Sequence, residues 1–262
     1  MEQSLRTAAT GMSGQQRVME IIAHNIANIN TIGYKRVRPE FQDLLYETIR
    51  PTSGLVEIGT EPQNPIQIGR GTTLTATTRE FMQGDLKETG NPFDLAINGE
   101  GFFMIRLPDN TIAYTRDGSF KLDADGNLIT TQGYIVEPGI TIPDDVQEVR
   151  IGRDGVVNIL RYGSTEFEEI GQLELARFIN PAGLKGIGDN LFTETPASGR
   201  PIIEPAGSAN MGKVLQGFLE ESNVELVEEM INMIQSQRGF ELNAKVIRTT
   251  EDMIATAVNL KR

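Results

Sequence analysis

The chain has 262 residues, with 24 Lys and Arg against 36 Asp and Glu, a formal net charge of −12, no cysteine, no tryptophan and one histidine. That length allows one large or two modest domains with a sizeable core; the missing cysteine excludes disulfides and thiolate metal sites, and no apolar run is long enough to cross a bilayer. Residues 1–38 hold five basic and two acidic groups and 211–262 hold six and eight, which leaves a net −13 on 39–210, so no basic stripe exists for nucleic acid.

From about Ser4 to Asn28, Leu5, Met12, Met19 and Ile26 recur every seven residues, with Ala8, Gln15, Ile22 and Ile29 three after each. This is a heptad pattern and predicts an amphipathic helix. The N-terminus shows no basic, apolar and small-residue succession of a secretory signal, so export is expected without removal of a leader. Turn chemistry follows in Ala27-Asn28-Ile29-Asn30-Thr31-Ile32-Gly33-Tyr34-Lys35, where two Asn and a Gly redirect the chain. Residues 36–47 read as a short amphipathic piece carrying Phe41, Leu44 and Leu45 and ending near Arg50-Pro51. Pro51 to Gly71 is rich in Pro, Gly and Thr, with Ile58, Ile66 and Ile68 spaced for extended chain, and so long a loop reads as a functional projection.

Strand-type alternation begins at Thr72. Phe93 to Phe103 reads as a strand, an Asn98-Gly99 turn and a second strand, and Asp117-Gly118, Asp125-Gly126 and Asp154-Gly155 give similar hairpin signals. An antiparallel β domain is expected over 93–205, with 31–92 and 206–221 as a connecting region carrying the projection 51–71.

The last element is the longest periodic one. Leu226, Met233, Phe240, Ile247 and Ile254 are spaced by seven, with Met230, Gln237, Ala244 and Val258 four residues after members of that series. Ser222 and Glu225 form an expected capping box, and Lys261 and Arg262 close the C-terminal end of a helix from Ser222 to Leu260. At 1.5 Å per residue it is about 60 Å long and needs a partner helix, which the N-terminal segment supplies. The expected fold class is therefore α+β, with terminal helices (1–30 and 222–262) pairing as a coiled-coil-like stalk around an inserted antiparallel all-β domain. Val227, Ile231, Ile234 and Leu242 lie outside one seam, and a helix that is apolar beyond one stripe is buried on more than one side. The assembly positions are thus Leu5, Met12, Met19, Ile22 and Ile26 on the first helix. On the second they are Leu226, Met230, Met233, Phe240, Ile247, Ile254 and Val258.

Chemical sites fare poorly. His24 lies on the first helix, away from any candidate nucleophile. Asp123, Asp125 and Asn127 imitate the start of a calcium loop, but Leu128 stands where Gly is needed and Tyr134 where Glu is. Gly183, Gly186 and Gly188 are in the wrong order for dinucleotide binding. The pairs Asp144 and Asp145, and Glu168 and Glu169, read as solvated surface. No catalytic, metal or cofactor site is expected.

The motif Ala27, Asn28, Asn30, Thr31, Gly33, Tyr34 and Lys35 after an N-terminal helix, together with Glu228 to Ile234 and Gln237 to Asn243 near the other end, resembles the bacterial flagellar rod and hook axial proteins. Gly239 departs from the resemblance, since a small helix former such as Ala is expected there. The segment 51–71 is similar to the stretch that marks distal rod members. The resemblance implies a structural, non-enzymatic subunit of a rigid hollow helical shaft around an export channel, in the basal body and across the periplasm. Its implied partners are copies of itself, proximal rod proteins, the hook protein or its junction, and the surrounding L and P ring proteins, with no nucleic acid and no membrane insertion. The alternatives are a proximal rod or hook subunit and a secreted trimeric β module.

Overall fold

A computed structural model describes residues 2–50 and 66–259. Residues 51–65 of the expected projection lie outside the described residues, as do Lys261 and Arg262. The fold is α+β, a helix at each end and twenty strands between them among the described residues, and it divides into two compact units. The first comprises 1–26, 37–78 and 225–262, and the second comprises 27–36 and 79–224.

The first unit holds helix α1 (Glu2–Ala27), strands β1 (Val37–Asp43), β2 (Tyr46–Arg50), β3 (Ile66–Gly69) and β4 (Thr72–Arg79), and helix α2 (Leu226–Asn259). The amphipathic piece expected at 36–47 is extended chain: β1 pairs with β4, and β2 with β3 through Tyr46 opposite Gly69. The β-branched threonines of Thr72-Thr73-Leu74-Thr75 favour a pleated partner, and Thr78 Oγ1 donates to Glu40 Oε1 across the pair at 2.8 Å. α2 starts later than the expected capping box. Ser222 Oγ accepts the Val224 N–H at 3.3 Å, a local turn, and the first helical bond runs from the Glu229 N–H to the Glu225 carbonyl.

The second unit is a β fold. Its largest sheet has nine strands: β16 (Lys185–Gly188), β17 (Leu191–Thr193), β8 (Ile112–Thr115), β7 (Phe102–Arg106), β11 (Ile135–Val136), β10 (Leu128–Ile129) and β9 (Lys121–Leu122) in that order, with β15 (Glu174–Arg177) joining β7 to β18 (Ile202–Pro205). Strands β12 (Val146–Ile151), β13 (Val156–Arg161) and β14 (Phe167–Gln172) form a meander. The outgoing and returning chain meet in two short pairs, β6 (Leu95–Asn98) with β19 (Lys213–Gln216) and β5 (Leu86–Glu88) with β20 (Phe218–Glu220). Leu95, Ile97, Phe103, Phe120, Leu175 and Val214 are central to the main core, and Phe81, Phe102, Phe178 and Phe192 form a second cluster of edge-to-face rings.

The four expected hairpins divide evenly. Asp125-Gly126 joins β9 to β10 and Asp154-Gly155 joins β12 to β13, each a paired hairpin with its glycine at positive φ. Asn98-Gly99 and Asp117-Gly118 do not close hairpins. β6 leaves to pair with β19, and β8 is followed by a chain crossing in which Gly118 sits against the Leu95 carbonyl. Local turn chemistry is satisfied in both, but the hydrogen-bonding partner of the following strand is remote in sequence.

Candidate assembly site

In the first unit α1 and α2 touch through small residues. A Cβ at Gly11 would lie 2.9 Å from Asn243 Nδ2, and one at Gly239 would lie 3.1 Å from Gln15 Cδ. The glycine at 239 is therefore a point of close approach. On α1, Ala8, Gly14, Ile22 and Asn25 are buried, while Leu5, Met12, Met19 and Ile26 are half-buried. On α2, Met233, Phe240, Ile247 and Ile254 are half-buried, and Leu226, Met230 and Val258 are exposed.

The most buried positions of α2 are polar. Glu229, Ser236 and Thr250 belong to one row at seven-residue spacing, and the fourth member of that row, Asn243, is the residue that touches Gly11. Thr250 Oγ1 donates to the Val246 carbonyl at 2.7 Å, so its hydroxyl is satisfied within the helix. The large apolar side chains lie elsewhere: Val227 is 69 % exposed and Leu242 64 %, and Ile231, Ile234, Val246 and Met253 are exposed too. The outer side of α2 is thus extensively apolar and uncovered.

The turn motif after α1 belongs to the second unit, and its end is held in the interior. Ala27 and Asn30 are exposed, Thr31 Oγ1 lies 3.2 Å from Asn28 Oδ1, and Gly33, Tyr34 and Lys35 are buried. Gly33 has φ +67°, and a Cβ there would lie 2.6 Å from the Asp117 nitrogen, so both backbone conformation and space require glycine. Its N–H donates to the Glu220 carbonyl at 2.8 Å.

Lys35 Nζ donates to the Met82 carbonyl at 2.6 Å and to the carboxylate of Glu220, and both side chains of this ion pair are fully buried. The same carboxylate accepts the Gly84 N–H at 3.0 Å and pairs with Arg116 Nη1 at 3.3 Å, while Arg116 Nη2 donates to the Gly99 carbonyl at 2.8 Å. Burial pushes the Lys35 ammonium below its ordinary pKa, and the Glu220 charge opposes that shift. Two asparagines complete the seating. Asn190 Nδ2 donates to the Ile32 carbonyl at 2.9 Å, and Asn223 Oδ1 accepts the Arg36 N–H at 2.7 Å. In the first unit, Asn25 exchanges two hydrogen bonds with the backbone of Val37, at 2.9 and 3.0 Å.

None of Glu220, Arg116, Asn190, Asn223 or Asn25 stands out in the sequence as a site residue. The one signal is Lys35 itself, a cation ending an otherwise small and apolar turn. His24 is on the exposed side of α1, Asp123, Asp125 and Asn127 form the β9–β10 turn, and among the described residues no cluster of His, Asp and Glu is placed to hold a metal.

Three family profiles match the chain. One described as flagella basal body rod protein covers residues 5–35, that of the flagellar hook protein FlgE/F/G D1 domain covers 96–159, and that of the flagellar basal body rod FlgEFG protein C-terminal region covers 215–260. The flagellar basal-body rod protein FlgG of Borreliella burgdorferi is 46 % identical over 264 residues, covering all of both chains. The chain belongs to the flagellar basal-body rod protein family. The FlgG proteins of Agrobacterium fabrum, 46 % identical over 98 % of this chain and 99 % of its own, and of Bacillus subtilis, 40 % identical over the whole of both, agree. The FlgF protein of Caulobacter vibrioides is 31 % identical over 98 % of this chain and 97 % of its own. Within the flagellar rod family the chain thus ranks with FlgG, and it is a structural subunit of the distal rod in the flagellar basal body.

Proposed function

We propose that the chain polymerises with copies of itself into a rigid hollow helical shaft that transmits torque and surrounds the export channel. The observation that supports this most is the apolar surface of α2, whose exposed Val227, Ile231, Ile234 and Leu242 face away from the polar row that meets α1. The terminal helices pair as a coiled-coil-like stalk and make the inner wall, and the acidic β fold serves as the outer surface. Heterologous contacts that do not close into a ring build the tube, and close-packed helices resist shear. The role is mechanical rather than catalytic.

The neighbours in this reading are other copies, proximal rod proteins, the hook protein or its junction, and the L and P ring proteins around a rod that crosses the periplasm. The segment 51–71 adds a second interlock, and the chain travels to the growing tip unfolded. Electron microscopy of the concentrated protein tests the reading: hollow unbranched filaments are expected. A closed trimer in sedimentation, or a monomer at every concentration, overturns it.

A further inference from the structure

We infer that α2 joins successive copies head to tail, the apolar surface of its first third seating on the apolar surface of its middle third in the next copy. This rests on the self-assembly reading and specifies the contact. Among the described residues no large apolar side chain of α1 is exposed; its outward positions are Ala, Ser, Gln, Arg, Glu and His24. α1 therefore offers a neighbour only half-buried apolar side chains, and apart from Phe41, Leu45, Tyr46 and Ile68 the exposed large apolar set of the first unit belongs to α2, where the seat is placed.

That surface has two main groups ahead of Met253 and Val258 near the end of the helix. Leu226, Val227, Met230, Ile231 and Ile234 lie in the first three turns, and Leu242 and Val246 lie beyond, all exposed. At about 100° per residue the groups point roughly a quarter turn apart, so one partner helix cannot cover both. An antiparallel pair, which would bury both at once and close, is disfavoured by that divergence. Two partners, one for each group, leave an open chain.

Charge selects which group meets which. Residues 225–234 hold the exposed Glu225 and Glu228 and no cation, whereas 238–248 hold Arg238, Lys245 and Arg248 against Glu241 alone, all exposed. First group on first group juxtaposes like charges, and first on middle juxtaposes opposite ones. The centres are about 14 residues apart, which gives parallel α2 helices an axial stagger of roughly 20 Å.

The chain has no cysteine, so introduced thiols report the contact directly. Full-length Ile231→Cys and Val246→Cys proteins, mixed and oxidised at polymerising concentration, are expected to give a heterodimer stronger than either homodimer, and the double variant a ladder of disulfide-linked oligomers. Both positions are exposed, and circular dichroism matching the parent verifies the fold. As a second measurement, Glu228→Lys and Lys245→Glu each raise the critical concentration about two- to fivefold, and combining them restores it. A heterodimer no stronger than the Ile231→Cys homodimer, or a double variant that stops at dimer, overturns the inference. If filaments form without the ladder, only this contact fails; if neither forms, the self-assembly reading fails with it.

Discussion

Replacing Glu220 by Gln tests the physical account of the motif lock. The parent carboxylate is fully buried and faces two cations, Lys35 and Arg116, as well as the Gly84 N–H. Gln keeps the shape and one acceptor but removes the only negative charge of the trio. Removing one partner of a buried pair costs about 3–5 kcal/mol, and the retained acceptor sets the lower part of that range, so a loss of about 3 kcal/mol is expected. Lys35→Met is milder, about 2 kcal/mol, because Glu220 keeps Arg116 and Gly84, and the Met82 carbonyl keeps Asn223. The double variant costs less than the sum by about 1–3 kcal/mol, since the two side chains touch.

The Gln variant also carries a pH signature. Lys35 is already held below its ordinary pKa by burial, and without Glu220 it falls further, so the folded state releases its proton at a lower pH than the unfolded chain. Between those two values the unfolded state binds more protons, and stability rises with pH. The deficit is therefore expected to shrink between neutral pH and about pH 10. Urea denaturation followed by far-ultraviolet circular dichroism measures all of this. A Glu220→Gln protein within about 0.5 kcal/mol of the parent, or one less damaged than Lys35→Met, refutes the reasoning.

Other substitutions probe the remaining contacts. Gly33→Ala meets backbone at 2.6 Å in a left-handed conformation and is expected to cost more than about 3 kcal/mol in the same denaturation assay. Gly239→Ala gains up to about 1 kcal/mol of helix propensity and meets only the flexible end of Gln15, so thermal melting should show a neutral to slightly more stable protein. Ile231→Ser, at an exposed site, should leave monomer stability within about 0.5 kcal/mol while raising the critical concentration for filaments measured by sedimentation. Burial raises the Asp117 carboxyl pKa, with Ser119 opposing and Asp94 adding to the shift. The folded state therefore binds a proton more readily and loses stability as pH rises through the window above 3.8. Asp117→Asn, which retains an acceptor for Ser119, is expected to melt higher than the parent at pH 7 and to lose that advantage near pH 3.

Both helices and the turn between Ala27 and Lys35 were legible because their signals are local, a seven-residue period and a run of turn-forming residues. The two genuine hairpins were legible for the same reason. The pairings of β6 with β19 and β5 with β20 were not, since the chain leaves at Leu86 and Leu95 and meets its partners near Gln216 and Glu220 with the whole β fold between. Lys35 and Glu220 are likewise 185 residues apart. The capping box misled because Ser222 and Glu225 satisfy the spacing while Ser222 spends its hydroxyl on a turn. The heptads identified which residues of α2 are apolar, but a period carries no information about which side its own partner covers. The row Glu229, Ser236, Asn243 and Thr250 is also a heptad, and only the close approach to Gly11 identifies it as the side facing α1.

That orientation has a physical consequence for assembly. Had Val227, Ile231, Ile234 and Leu242 been turned toward α1, the two helices would have closed on each other and left a polar exterior with little to gain from a neighbour. Pairing instead brings Gly11 against Asn243 and Gly239 against Gln15, with Met233, Phe240, Ile247 and Ile254 half-buried, and leaves Val227, Ile231, Ile234 and Leu242 exposed. In the proposed assembly the larger gain comes from contacts between copies, where burying one Ile or Leu stabilises by about 1.5–3 kcal/mol. On that proposal a subunit gains most of its helix burial only once neighbours surround it. The buried lock of Lys35, Glu220 and Arg116 works in the opposite sense, making the second unit complete within one chain.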